Sequence, residues 1–323
     1  MKILMAAAYI LLVVNIAKAQ QPTLKIPIGH TADINTASFS PDGKYIVTSS
    51  DDFTARVWEK ASGRLLYSLD GHKKEISSAI FSPDGSRIIT TSTNDSARIW
   101  NAKTGVFINV LHDKAGINPG VAYSTDGKYI LSVGSLAGYD PLTANLWDVN
   151  TGKLIYKFEH SKSVKAARFS GDGEKIITSS TDNTVKIWRV LTGTLLADLK
   201  GHTDEVMNVS FSDDGKLALT VSKDKTAKIW NADNGILITT IKEKYALSLG
   251  CFSPDSKTIV TVPDYPEITL GKGSMKAWDA QTGRLLFEFK KHKNEITDIL
   301  FIDNGDKLLS ASYDATAIIC GWN

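Results

Sequence analysis

Residues 201–230, GHTDEVMNVSFSDDGKLALTVSKDKTAKIW, decide the fold because they are one copy of a unit that the chain repeats. The copy opens on Gly201-His202, runs through a short apolar strand ending at Phe211, and reverses at Ser212-Asp213-Asp214-Gly215. Asp suits that reversal as a side-chain acceptor and Gly as a residue that tolerates positive φ. The run KLALTVS has the apolar, β-branched character of a strand buried on both faces, and AKIW ends a third strand on Trp230. A second turn, DNG at 233–235, leads to a fourth strand. Four antiparallel strands joined by tight turns make one propeller blade.

Outward from Phe211, an aromatic residue recurs at Phe39, Phe81, Tyr123, Phe169, Phe252 and Phe301. Nine residues after each of the seven stands a hydroxyl: Thr48, Thr90, Ser132, Thr178, Thr220, Thr261 and Ser310. A spacing held through every copy marks internal repeats, so one large domain is predicted in place of two ordinary ones. The last copy stops just past its third strand, while Leu24 to Ile28 read as a lone fourth strand, and joining the two would remove an open sheet edge. The predicted fold class is all-β: a seven-bladed β-propeller of four-stranded antiparallel blades, closed by the N-terminal strand joining the last blade.

A composition of 42% hydrophobic and 22% charged residues is that of a soluble chain with material for a core. The first nineteen residues differ in kind, with Lys2, an apolar run from Ile3 to Val14, and Ala17-Lys18-Ala19 before Gln20. They predict a cleaved signal peptide over 1–19, a single propeller over 20–323, no membrane span after cleavage, and a secreted or periplasmic location. Of 37 basic residues, Lys2 and Lys18 lie in the leader, so 35 bases face 35 acids in the mature chain. That balance offers no basic field for nucleic acid. Cys251 and Cys320 fall on different blades and different strand types, so two free buried thiols are expected.

The repeat, with its Gly-His openings and strand-ending tryptophans, resembles the WD-repeat family from about Leu24 to the end. That resemblance implies a hydrogen-bonded His, Ser/Thr, Asp and Trp inside each blade. Residue by residue it gives His30, Thr48, Asp52 and Trp58 in blade one, His160, Thr178, Asp182 and Trp188 in blade four, and His202, Thr220, Asp224 and Trp230 in blade five. Blade two has His72, Thr90 and Trp100 with Asn94 for Asp, and blade seven has His292, Ser310 and Asp314 with Cys320 for Trp and a Trp322 two residues late. All six histidines lie at or near this one position, and neither cysteine has metal-ligand spacing. No cofactor, metal or enzyme activity is therefore expected; the catalytic alternative is an acid and base pair drawn from Asp140, Asp264 or Glu267 on facing loops.

Copies three and six break the pattern together. From Ser132 to Trp147 is 15 residues and from Thr261 to Trp278 is 17, where regular copies have 10. Leu136 and Tyr265 stand at the Asp position, Glu243 replaces the blade-six His, and the hydrogen-bond pattern is expected to be given up there. The insertions, GSLAGYDPLTAN at Gly134 to Asn145 and PDYPEITLGKGSM at Pro263 to Met275, carry Tyr139, Asp140 and Pro141, and Asp264, Tyr265 and Pro266, a composition suited to a clamp on a partner. Family resemblance further implies partner contacts three and five residues after the His and one before the Asp. The first set is Asp33, Glu75, Ser163, Glu205 and Glu295, the second Asn35, Ser77, Lys165, Met207 and Thr297, the third Asp51, Thr93, Thr181, Lys223 and Tyr313. The expected function is a non-catalytic, monomeric interaction scaffold for another protein or peptide, with a basic segment suited to the acidic rim; the alternative is a small molecule or glycan stacked on tyrosines at the channel mouth.

Overall fold

In blade five the sequence signals become hydrogen bonds. The Ser212 hydroxyl donates to Asp214 Oδ1 at 2.7 Å and accepts from the Leu217 amide at 2.9 Å, while the Gly215 amide closes the turn on the Ser212 carbonyl at 2.9 Å. The same Ser-x-Asp device recurs at Ser40, Ser82, Ser124, Ser170 and Ser253. One serine thus satisfies a donor and an acceptor that the reversal would otherwise leave unpaired.

The computed structural model describes residues 29–92, 96–111, 121–133, 142–264, 273–302, 305–314 and 316–321. They contain seven antiparallel sheets, six of four strands and one of three, each assembled in chain order from one repeat. These are the blades of an all-β, seven-bladed propeller, at 34–69, 76–111, 121–159, 164–199, 206–242, 246–290 and 296–321. The expected blade-closing strand at Leu24 to Ile28 and the expected leader at 1–19, with His112 and Trp322, lie outside the described residues.

The chain divides into two compact units, residues 1–139 with 146–155 and residues 140–145 with 156–323. Within each, apolar cores form between neighbouring blades. In the first unit, Val47 and Val57 of blade one meet Ile88 and Trp100 of blade two. In the second, Ile177 and Ile187 of blade four meet Val209 and Trp230 of blade five, and Val260 and Met275 of blade six meet Ile299 and Leu308 of blade seven. First strands of neighbouring blades run side by side in each unit, so the first strand is the inner edge of its blade.

The turn between third and fourth strands is fitted onto the preceding blade. Gly105, at φ 70°, brings a would-be Cβ within 2.7 Å of the Tyr67 ring, and the Tyr67 hydroxyl donates to the Ala102 carbonyl. Only glycine meets both demands.

Three expectations need correction. The strand Thr258–Asp264 runs through Pro263 to Asp264, which pairs with Ala246, so these two residues belong to a strand and not to the blade-six insertion. Proline is tolerated because the third strand pairs only as far as Thr261, leaving no partner for a Pro263 amide. The strand Thr143–Asp148 likewise takes residues assigned to the blade-three insertion. Of the two cysteines, both free, Cys320 is buried but Cys251 only half-buried, and they pack against one shared cluster although on different blades.

Candidate functional site

Inside blade five the Trp230 indole donates to Thr220 Oγ1 at 2.9 Å, Thr220 meets His202 Nε2 at 2.7 Å, and His202 Nδ1 meets Asp224 Oδ2 at 2.7 Å. A carboxylate beside Nδ1 places the imidazole proton there, so Nε2 accepts from the threonine hydroxyl. Blade one repeats the chain, with Trp58 to Thr48 at 3.0 Å, Thr48 to His30 at 2.8 Å and His30 to Asp52 at 2.8 Å. In blade four the bonds from Trp188 and His160 to Thr178 are 2.9 and 2.7 Å, with Asp182 Oδ2 3.4 Å from His160 Nδ1. Blade two joins Trp100, Thr90 and His72 (2.8 and 2.7 Å), and blade seven joins Ser310, His292 and Asp314 (2.8 and 3.1 Å).

Sequence reasoning missed a fifth member two residues after the Asp. Thr54, Thr184, Thr226 and Thr316 donate to their aspartates at 2.6, 2.6, 2.6 and 2.5 Å and lie within 3.0 to 3.3 Å of the histidine Nδ1. The signal was present as Asp-x-Thr in four copies.

Burial pushes His30, His160 and His202 below the usual histidine range, against the pull of their aspartates. Burial also opposes ionisation of Asp52, but hydrogen bonds from Thr54, His30 and the Thr31 amide outweigh it and hold the carboxyl at about 2. Asp314 is held at about 2 in the same way, by Thr316 and the Lys293 amide.

Blades three and six keep more of the pattern than expected. Trp147 still donates to Ser132, and Trp278 to Thr261, each at 2.9 Å. Where blade six lacks its His, Glu243 forms a buried ion pair with Lys276 at 2.6 Å, so the polar interior is rebuilt and not abandoned.

This scaffold sets the rim. In four blades the residue before the Asp donates its amide to the carbonyl three residues after the His: Asp51 to Asp33, Thr181 to Ser163 and Lys223 to Glu205 at 2.9 Å, Tyr313 to Glu295 at 3.0 Å. In five blades the residue five after the His is the extra residue of a β-bulge in the first strand pair: Asn35, Ser77, Lys165, Met207 and Thr297. A bulge re-aims a side chain out of the pleat. Glu75 is exposed and Tyr313 is 60% exposed. The rim is not simply acidic, since Lys223 closes on Glu205 at 2.7 Å and also feels Asp204 and Asp264. Tyr139, Asp140, Pro141, Tyr265, Pro266 and Thr93 lie outside the described residues.

The model of the WD domain, G-beta repeat family matches residues 21–59, 63–101, 152–189, 193–231 and 283–320, more than half of the chain. The chain belongs to the WD40 family. WD40 propellers are repeat-built scaffolds that bind other proteins. Relatives of this WD40 chain include Autophagy-related protein 16 of Arabidopsis thaliana, 24% identical over 52% of this chain and 32% of the relative. U3 small nucleolar RNA-associated protein 15 homolog of Xenopus laevis is 24% identical over 59% of this chain and 35% of the relative. Pre-mRNA-processing factor 19 homolog 2 of Arabidopsis thaliana is 32% identical over 62% and 38%. The WD40 chain spans well under half the length of these relatives. The crystal structure of the computationally designed Ika8 protein shares the fold, with a TM-score of 0.75 at 24% identity over 91% of this chain and 85% of that chain.

These relatives overturn the secreted or periplasmic expectation, because autophagy, small nucleolar RNA association and pre-mRNA processing are processes inside the cell. An apolar run behind one lysine is a pattern of composition, and pattern alone does not fix the compartment.

Proposed function

We propose that this WD40 chain is a non-catalytic scaffold that takes a basic partner segment on the rim formed by the His loops and the turns between second and third strands. The observation that carries it is the latch just described: two of the three rim positions are held side by side by a backbone bond, and the third is aimed outward by a bulge. A platform ordered before contact loses little conformational freedom on binding. In the second unit Glu205 and Glu295 supply complementary charge, Met207 and Tyr313 supply contact area, and Lys223 sets orientation by holding Glu205.

A hexa-arginine peptide titrated calorimetrically into the full chain tests the charge reading. E205Q/E295Q should weaken binding by about tenfold and flatten its salt dependence. Unchanged affinity in that variant would move the binding face elsewhere.

A further inference from the structure

In five blades a basic residue stands two before the strand-ending Trp, at one register of the third and fourth strands: Arg56, Arg98, Lys186, Lys228 and Lys276. Four of them are committed to neighbours. Arg56 lies 3.6 Å from Asp52, Lys186 donates to the Glu159 carbonyl at 2.8 Å, Lys228 donates to the Thr240 hydroxyl at 3.3 Å, and Lys276 pairs with Glu243 at 2.6 Å. Arg98 makes no hydrogen bond or ion pair among the described residues, and its Nε is buried without an acceptor. The sequence accounts for the difference. Across the strand pair Arg98 faces Val110, where the other four face Ser68, Asp198, Thr240 and Glu288, and Asn94 stands where the Arg56 copy has Asp52.

The guanidinium is nevertheless held in place. Its carbon lies 5.8 Å from the centre of the Phe107 ring, Phe107 meets Trp100 edge-on with ring centres 5.7 Å apart, and Nη1 comes within 3.2 Å of where a Cβ on Gly71 would lie. Val106, Phe107 and Ile108 are all exposed, and Ile108 is the extra residue of a bulge in the outer strand pair. Past this triplet the outer strand Phe107–Leu111 is closed to a further strand at Val110: the Asn109 side chain accepts from the Val110 amide at 2.8 Å and donates to the Asn150 carbonyl at 3.3 Å. Whatever docks here meets side chains and not a free backbone ladder.

A stacked guanidinium with no counter-charge is matched by a carboxylate, which accepts two parallel bonds from its planar fork, and the exposed triplet beside it is matched by apolar side chains. Charge complementarity sets the sign, because a basic segment would set like charge against Arg98. We infer that the outer face of blade two takes an acidic segment of another protein, with Arg98 receiving a carboxylate side chain and Val106, Phe107 and Ile108 receiving the apolar side chains that flank it. This face lies in the first unit and takes the opposite charge from the rim at Glu205 and Glu295, so either reading can fail without the other.

The test titrates the full chain calorimetrically with the acetylated, amidated peptide Gly-Leu-Asp-Leu-Phe-Gly and with its Asn and Lys forms at the Asp position. The Asp form should bind about tenfold tighter than the Asn form, and the Lys form weaker still. R98Q should abolish the preference for Asp over Asn, and R98K, which keeps charge but not the fork, should reduce it about threefold. V106S/I108S should weaken the Asp and Asn forms alike, by about tenfold, and leave the preference intact. Thermal unfolding shows that each variant is folded, and E205Q/E295Q should bind the Asp form as wild type does. Absent binding of the Asp form, equal binding of the Asp and Asn forms, or a preference that survives R98Q overturns the site. Dimerisation of the chain in sedimentation velocity that V106S/I108S abolishes would overturn the partner segment in favour of a second copy.

Discussion

In blades one, two, four and five the tetrad hydroxyl answers two neighbours at once, accepting from an indole and donating to an imidazole, so its removal is felt twice. Thr220→Val keeps the shape but orphans Trp230 Nε1 and His202 Nε2, both buried, and should cost about 2–4 kcal/mol by urea unfolding, while Thr220→Ser keeps both bonds and should cost far less. In blade six the stakes are ionic. Lys276→Met leaves Glu243, whose side chain is 3% exposed, as an uncompensated buried charge and should cost about 3–5 kcal/mol, whereas E243Q/K276M should recover most of that loss. The pH dependence has a definite sign. His30, His160 and His202 lie below 6.5 in the folded protein, so the unfolded chain takes up their protons first, and stability falls as pH drops below 6.5. Asp52 and Asp314, held at about 2 against an ordinary 3.8, add a second loss as pH falls from 3.8 toward 2. Unfolding midpoints taken across that range check both steps; a midpoint that rises on acidification to pH 5 would contradict them.

At the scale of elements, turns and bulges set where the repeat is rigid. Phe53 caps the blade-one turn with φ 69° and a ring 45% exposed, where Asn183 and Lys225 occupy the same place at φ 70° and 68°. A bulky side chain in the left-handed region is strained, so Phe53→Asn should stabilise the protein by about 0.5–1 kcal/mol, visible as a raised melting temperature. Gly105→Ala should do the opposite, since it adds the Tyr67 clash to an unfavourable φ. Strand existence and order were legible in the sequence because aromatic, hydroxyl and tryptophan keep fixed spacing, and spacing is what a pleated, double-buried strand imposes. The bulges were not legible: an extra residue at Met207 or Asn35 leaves the count from His to aromatic unchanged from copy to copy, so nothing in the repeat marks it as unpaired. The ends of the long loops were misplaced for a related reason, because Pro263 reads as a breaker until the missing partner strand beside it is known.

For the molecule as a whole, a shared hydroxyl at the tetrad position makes the blades alike, and substitutions within the tetrad and differences at the rim make them individual. His, Thr, Asp and Trp were readable one by one, while the second threonine, as at Thr226, stood in the sequence as Asp-x-Thr and showed its role only through its hydrogen bonds. Location was misjudged because residues 1–19 were read by composition, and relatives carry information that composition lacks. The central claim is that the latched rim is where this WD40 chain meets its partner. Quantitative affinity capture from whole-cell extract, with the wild-type chain beside E205Q/E295Q and a surface control on the outer strand at Lys157, tests it most directly. The expected result is a partner held by wild type and by the Lys157→Gln control but lost by the rim variant at unchanged thermal stability. Equal capture by all three would contradict it.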